Sequence, residues 1–223
     1  MKRLLFVLLF ALTATAQRTM TFEDLAAMKR IGAPQVSPDG KWIAYDASSI
    51  DLGANVRRSA VFLIPADGSA APRQLTDGAK QDEGPSWSPD GKTIAYTSNR
   101  EGGAKQVYLY DLASRTSRKL TSLANGASAV KWVPNGSGIV LVSDVHPECG
   151  VDPQCTEQKD TAATNAPTKA RVIDSLLFRH WNAWQPATRA HVVFVPVTSG
   201  GTAMRDLTPG AFDAPPFSVG GGD

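Results

Sequence analysis

The sequence predicts an all-β protein that forms part of a β-propeller, and three observations carry that expectation. First, a twelve-residue phrase recurs. Residues 34–45 read Pro-Gln-Val-Ser-Pro-Asp-Gly-Lys-Trp-Ile-Ala-Tyr, and residues 85–96 read Pro-Ser-Trp-Ser-Pro-Asp-Gly-Lys-Thr-Ile-Ala-Tyr. A worn third copy, Val-Lys-Trp-Val-Pro-Asn-Gly-Ser-Gly-Ile-Val-Leu-Val, covers 130–142. Second, the spacing is regular: Ser37 to Ser88 is 51 residues and Ser88 to Val133 is 45. Third, a Leu-Thr pair ends each unit, at Leu75-Thr76, Leu120-Thr121 and Leu207-Thr208. Self-similarity at this period marks stacked supersecondary units.

Each element of the unit has a physical reading. Ser-Pro-Asp-Gly suits a type I turn, with Pro at its second position and Gly at its fourth. The flanks read as strands: Trp87 and Ser88 run in, and Thr93–Thr97 run out with β-branched and aromatic side chains. Gln106–Leu112 alternates as a third strand, and Arg118–Thr121 supplies a fourth. Four short antiparallel strands in about 45 residues match a propeller blade. A β-sandwich with accidentally similar turns is the alternative. Blade one spans roughly 34–76, blade two 85–121, and blade three runs from near 129 to near 209. The third is far longer than the others, with an insertion at about 144–190 and its third strand at His191–Val197. A fourth unit is announced at Asp213–Gly222.

Propellers close with about four to eight blades, so three blades and the start of a fourth form an open arc. The expectation is that the sequence is the first part of a longer protein. Closure by oligomerisation of a small protein is the other possibility.

The N-terminus reads as an export signal over 1–16. Lys2 and Arg3 are its charged start, Leu4–Leu12 its apolar run, and Ala14-Thr15-Ala16 a small-x-small cleavage site. The run is too short to span a bilayer. Lys2 and Arg3 account for the whole formal charge of +2. There is no basic stripe, so nucleic acid is not an expected partner, nor is a membrane after signal removal. Residues 17–33 read as an N-terminal arm, with a helix over 21–31 opened by a capping-box-like Thr21-Phe-Glu-Asp24. The propeller then occupies 34–223.

The insertion carries Cys149 and Cys155, the only two cysteines in the chain. In an exported chain a disulfide is the first expectation. Closing so small a loop adds about 2 kcal/mol at most. A zinc site using His146 with both cysteines would lack a fourth ligand and the usual spacing, and free thiols remain an alternative. Residues 156–170 are polar and rich in Ala and Thr, which reads as a mobile surface loop. The segment 171–184 then gathers two Trp, one His and two Arg. There, Arg179, His180, Trp181 and Trp184 are candidates to line a surface facing a substrate or a second domain; packing of the insertion onto the blades is the competing account.

No catalytic constellation assembles from this sequence. There is no Gly-x-Ser-x-Gly nucleophile elbow, no His-Glu-x-x-His and no phosphate loop. Asp39, Asp90 and Asn135 recur at one turn position, so their task is the turn. No metal site and no cofactor are called for.

The Ser-Pro-Asp-Gly blades resemble the repeats of TolB-like proteins and of prolyl oligopeptidase-family (S9) peptidases. The segments Asp174–Trp184, Arg189–Val195 and Arg205–Gly210, with the Pro-Glu-Cys…Cys loop, resemble the dipeptidyl-peptidase V and acylaminoacyl-peptidase-like branch. That resemblance covers essentially all of 21–223. It implies a C-terminal α/β-hydrolase domain with a Ser-Asp-His triad, absent from this chain, and a propeller that gates access of short peptide substrates. Asn182 stands where members of this group often carry an acidic residue. The resemblance therefore implies an exported serine peptidase whose 223-residue portion is inactive alone. The alternative is a TolB-like periplasmic scaffold that binds a protein partner.

Overall fold

A computed structural model describes residues 18–168, 170, 172–173, 179–180, 182–198 and 203–214. Helix α1 (Phe22–Ala27) precedes three four-stranded antiparallel sheets. Blade one is β1 (Arg30–Val36), β2 (Trp42–Asp51), β3 (Val56–Pro65) and β4 (Arg73–Gln74). Blade two is β5 (Asp82–Trp87), β6 (Thr93–Ser98), β7 (Gln106–Asp111) and β8 (Thr116–Lys119). Blade three begins with β9 (Ser128–Trp132) and β10 (Gly138–Val145). The insertion follows, carrying α2 (Pro153–Asn165) and a two-stranded ribbon of β11 (Arg179–His180) and β12 (Ala183–Trp184). The blade then finishes with β13 (Arg189–Pro196) and β14 (Arg205–Asp206). Despite 43 intervening residues, β10 and β13 pair without a slip from Gly138↔Pro196 to Val145↔Arg189.

The repeated phrase folds as repeated hydrogen bonds. Gly40 N–H donates to Ser37 O at 2.9 Å, and Gly91 N–H to Ser88 O at the same distance. Both glycines sit at positive φ, 72° and 68°, where a side chain would be strained. The serine hydroxyl donates to the aspartate two residues on (2.6 Å in both turns) and accepts the N–H of Trp42 or Thr93 (2.9 Å). In the worn third turn Val133 replaces the serine, and the Ser137 hydroxyl reaches Asn135 instead (2.7 Å). The Ser37 hydroxyl and the Lys41 N–H hold Asp39 below the usual carboxylate range, as Ser88 and Lys92 do for Asp90.

The Leu-Thr endings repeat with equal regularity. Leu75, Leu120 and Leu207 each donate N–H to a third-strand valine carbonyl (Val61, Val107 and Val192), all at 2.8 Å. The following threonine hydroxyls accept the N–H of those same valines at 3.1, 2.9 and 3.0 Å. A side chain thus continues the ladder past the point where the outer strand leaves the sheet.

All three innermost strands bulge, at Gly32/Gln35, at Glu83/Ser86 and opposite Val140/Val142. In blade two the bulge is made by Gly84 at φ 62°; in blade three Ala129 adopts φ 49°. Alanine in the left-handed region costs roughly 1 kcal/mol. Ala129→Gly is therefore expected to stabilise the chain by about 0.5–1 kcal/mol, read as a rise in urea midpoint. A fall in midpoint would contradict the strain.

Burial follows from which blades have neighbours. Ile94, Tyr96, Tyr108 and Tyr110 of blade two, with Trp87, pack on Ala44, Val61 and Leu63 of blade one. Ala95, Val107, Leu109 and Leu120 pack the other way, on Val130, Ile139, Leu141, Val193 and Val195 of blade three. The middle blade is covered on both faces, so its strands are buried nearly end to end. The flanking strands β2 and β13 alternate instead. Two indole bonds cross the seams: Trp87 Nε1 donates to Gln35 O and Trp132 Nε1 to Ser86 O, both at 3.0 Å.

Two expectations are corrected. The helix expected over 21–31 stops at Ala27, although its capping box forms at Thr21 and Asp24. Arg30, Ile31 and Gly32 pair with Ser48, Ala47 and Asp46, so sheet pairing claims them, and blade one starts at Arg30 rather than 34. The mobile loop expected over 156–170 is mostly helix α2. Asp152 caps it by accepting from Gln154 N and Cys155 N, and Pro153 fits its first turn. Its sequence mixes good helix formers such as Glu157, Lys159, Ala162 and Ala163 with poor ones such as Thr161 and Thr164, so the cap decides. The export signal at 1–16 and most of the fourth unit lie outside the described residues. Asp213 and Ala214 fold back onto Ala190.

Candidate functional site

Strand direction sorts the loops onto two ends. One end carries the Ser-Pro-Asp-Gly turns. The other carries the β2–β3 and β6–β7 hairpin tips, the links from β4 to β5 and from β8 to β9, and the points where the blade-three insertion leaves β10 and enters β13. The insertion end is where the irregular, non-repeating residues gather.

The insertion is pinned at its base. Cys149 and Cys155 are disulfide-bonded, joining the turn after β10 to the first turn of α2. His146 Nε2 lies 2.8 Å from Asp160 Oδ1, and Lys159 Nζ lies 2.6 Å from Glu148 Oε1. Lys159 holds Glu148 below the ordinary glutamate range. Only Thr156 of α2 is buried, so the helix stands as a polar wall. Between it and the link from blade two to blade three lies an open cleft of about 470 Å³, bordered by Ser122, Ala124, Glu157 and Asp160.

Of the candidate residues, Arg179 and Trp184 meet as cross-strand partners in the β11–β12 ribbon, opposite the His180↔Ala183 pair. Arg179 is exposed and Trp184 is 47% exposed. Trp181 lies outside the described residues, as do Leu176, Leu177 and Phe178.

A polar cluster bridges the first seam at this end, and sequence reasoning missed it. Glu83 pairs with Lys105 and with Arg57 (3.2 Å), and accepts from the Ser59 hydroxyl (3.2 Å). Burial works to raise the Glu83 carboxyl, but Lys105 and Arg57 outweigh it and the net displacement is downward. Beside it, Asp46 is 6% exposed and accepts the Gly84 N–H at 3.1 Å. Burial pushes Asp46 up, and the Glu83 charge adds to the rise. A carboxyl raised in the folded chain holds its proton more tightly there. It favours folding at low pH, and that contribution is lost as pH rises from the ordinary carboxylate value through the folded one. Asp46→Asn keeps the acceptor for Gly84 and removes the charge. It is expected to gain stability over the native chain at about pH 7 and to gain little at about pH 4. Equal differences at both pH values, by urea unfolding, would refute this.

Two His–Asp pairs superficially resemble halves of a proton relay. His191 is fully buried, with Nδ1 2.6 Å from Asp206 Oδ2 and Nε2 2.9 Å from Gly210 O. Both ring nitrogens are engaged, so it is a structural tie. His146 is 7% exposed and serves α2. Among the described residues no group of three or more His, Cys, Asp or Glu could hold a metal ion, and no helix is long and apolar enough to cross a membrane.

The comparisons follow this architecture. The chain is 30% identical over 201 residues to dipeptidyl-peptidase 5 of Porphyromonas endodontalis, a match covering 88% of this chain and 27% of that one. It is 35% identical over 144 residues to the uncharacterized peptidase YuxL of Bacillus subtilis, covering 64% and 22% respectively. The chain thus spans about a quarter of the length of these curated relatives. Among solved structures, the acylaminoacyl peptidase of Pyrococcus horikoshii superposes with a TM-score of 0.58 at 13% identity, over 83% of this chain and 26% of that one. That likeness shows the fold. The described residues contain no hydrolase domain. The family model for the TolB beta propeller domain matches residues 8–169, and the chain belongs to that family.

Proposed function

We propose that this chain is the N-terminal, substrate-gating propeller region of an exported serine peptidase of the S9 type, which cleaves short peptides near their N-termini. The observation that supports this best is the extent of the similarity to dipeptidyl-peptidase 5. At 88% of the chain, it runs beyond the first two blades and into the long third one. The chemistry would belong to an α/β-hydrolase domain outside these 223 residues. A serine there would attack the peptide carbonyl, with a histidine as base oriented by an aspartate. The insertion end of the blades would exclude water and limit the size of what enters.

The family match itself supports a second reading, a TolB-like exported scaffold that binds a protein partner. Reading the coding sequence past codon 223 separates the two. Further blades followed by a Gly-x-Ser-x-Gly elbow support the peptidase, and a stop after blades alone supports the scaffold. The 223-residue chain by itself is expected to release no product from dipeptidyl or acyl-aminoacyl chromogenic substrates. Specific turnover by the pure chain would contradict that expectation.

A further inference from the structure

Comparing the blades within this one chain separates what the fold requires from what it does not. Residues that recur at a register position serve the fold, whereas residues that do not recur are free to serve something else. Arg57 and Lys80 fall in the second group, and Arg58 recurs in blade three alone. Counting from the equivalent valines and leucines, Arg57 corresponds to Gly103 in blade two and Thr188 in blade three, and Lys80 to Asn125 and Phe212. Arg58 corresponds to Ala104 and to Arg189, whose guanidinium turns to the Pro186 and Thr188 carbonyls. Only blade one carries all three cations.

They converge, although Lys80 lies more than twenty residues from the arginines in sequence. Together they border a cleft of about 390 Å³ at the insertion end, between the β2–β3 tip and the link into blade two. Asn55, Gln81 and Asn99 complete its polar lining. Asn55 holds φ 51° at the tip, and Asn99 Oδ1 fixes the link by accepting Gln81 N–H at 3.0 Å. The nearby carboxylates have other partners. Glu83 is shared by Arg57 and Lys105, so one carboxylate answers two cations. Arg58 donates to the Ala79 carbonyl at 2.7 Å, and Asp77, which borders an adjoining pocket with Arg58, accepts the Ala79 N–H at 3.0 Å. Asp51 turns its carboxylate to the Ala54 amide within the tip. Among the described residues no carboxylate pairs with Arg58 or Lys80.

We propose that this cleft binds the carboxylate of a short peptide, with Arg58 and Lys80 as the recognising cations and Arg57 held in place by Glu83. The peptide as ligand rests on the reading given under Proposed function; the preference for an anionic group rests on the cleft alone. A planar guanidinium suits a carboxylate, and the flanking amides supply further donors. Because the cations are exposed, the preference is modest and sensitive to salt.

The test is calorimetric binding of an acetylated dipeptide with a free carboxylate and of its C-terminal amide. The acid is expected to bind on the order of tenfold more tightly, with the margin shrinking as salt is raised. Lys80→Glu should abolish the margin and Arg58→Gln should reduce it, with circular dichroism and melting temperature as checks on folding. Lys80 is exposed, so its substitution leaves the fold intact. Equal affinity for acid and amide would overturn the carboxylate proposal and leave peptide binding standing. A margin that survives both substitutions, or no binding of either peptide, would also overturn it. Hydrolysis by the product of the full coding sequence, measured separately, reports on the peptidase reading whatever this cleft does.

Discussion

Trp87→Ala is expected to destabilise the chain by about 3–5 kcal/mol, a large part of a typical domain's stability. The indole is 9% exposed and lies in the seam against Ala44, Val61 and Leu63. Its Nε1 donates to Gln35 O on the neighbouring blade. Removing it opens a cavity in the apolar layer joining blades one and two, and takes away that bond across the seam. Trp87→Phe keeps most of the apolar area and loses the bond, so it should cost roughly 1–3 kcal/mol. Trp42 is the control. It is 39% exposed, and its replacement by alanine should cost about 1 kcal/mol or less. Urea unfolding of the three variants decides the point. Equal losses at Trp87 and Trp42 would mean that the seam does not hold the blades together.

The second large effect is at His191. Its ring is fully buried in β13, and its two nitrogens tie Asp206 and the Gly210 carbonyl to the strand. Asp206 also accepts the Thr208 N–H through its other oxygen, and the Thr208 hydroxyl accepts Val192 N–H. His191→Ala is expected to cost about 3–5 kcal/mol, because it strands a largely buried carboxylate and a carbonyl and leaves a void. His191→Gln can restore one of the two bonds and should recover part of the loss. An alanine variant within about 1 kcal/mol of the native chain would show that water satisfies both acceptors.

What could be read from the sequence was what repeats. Ser37 and Ser88, their aspartates and glycines, and the Leu-Thr endings gave blade number and strand order, because each repeated residue makes the same hydrogen bond in each blade. Helix α2 was not legible. Its stability comes from the Asp152 cap, the Cys149–Cys155 bond and the His146–Asp160 contact, none of which shows as an apolar period. The candidate site was harder still. Arg179 and Trp184 stood out by composition and do meet in the β11–β12 ribbon. The charged cleft did not stand out, since Arg57, Arg58 and Lys80 are ordinary surface residues until the β2–β3 tip and the following link bring them together. The signal that could have found them was that blade one alone carries all three cations at the equivalent positions.

The two indole bonds across the seams also have a direction. Trp87 and Trp132 each reach back to a carbonyl of the blade made before their own, and neither reaches forward. Contacts of this head-to-tail kind close into a ring only when the rotation between copies brings the last back to the first. During synthesis the earlier blade leaves the ribosome first. Each newly emerged blade then carries the hook that fastens it to one already folded, so the arc can grow in the order of translation without waiting for a later segment.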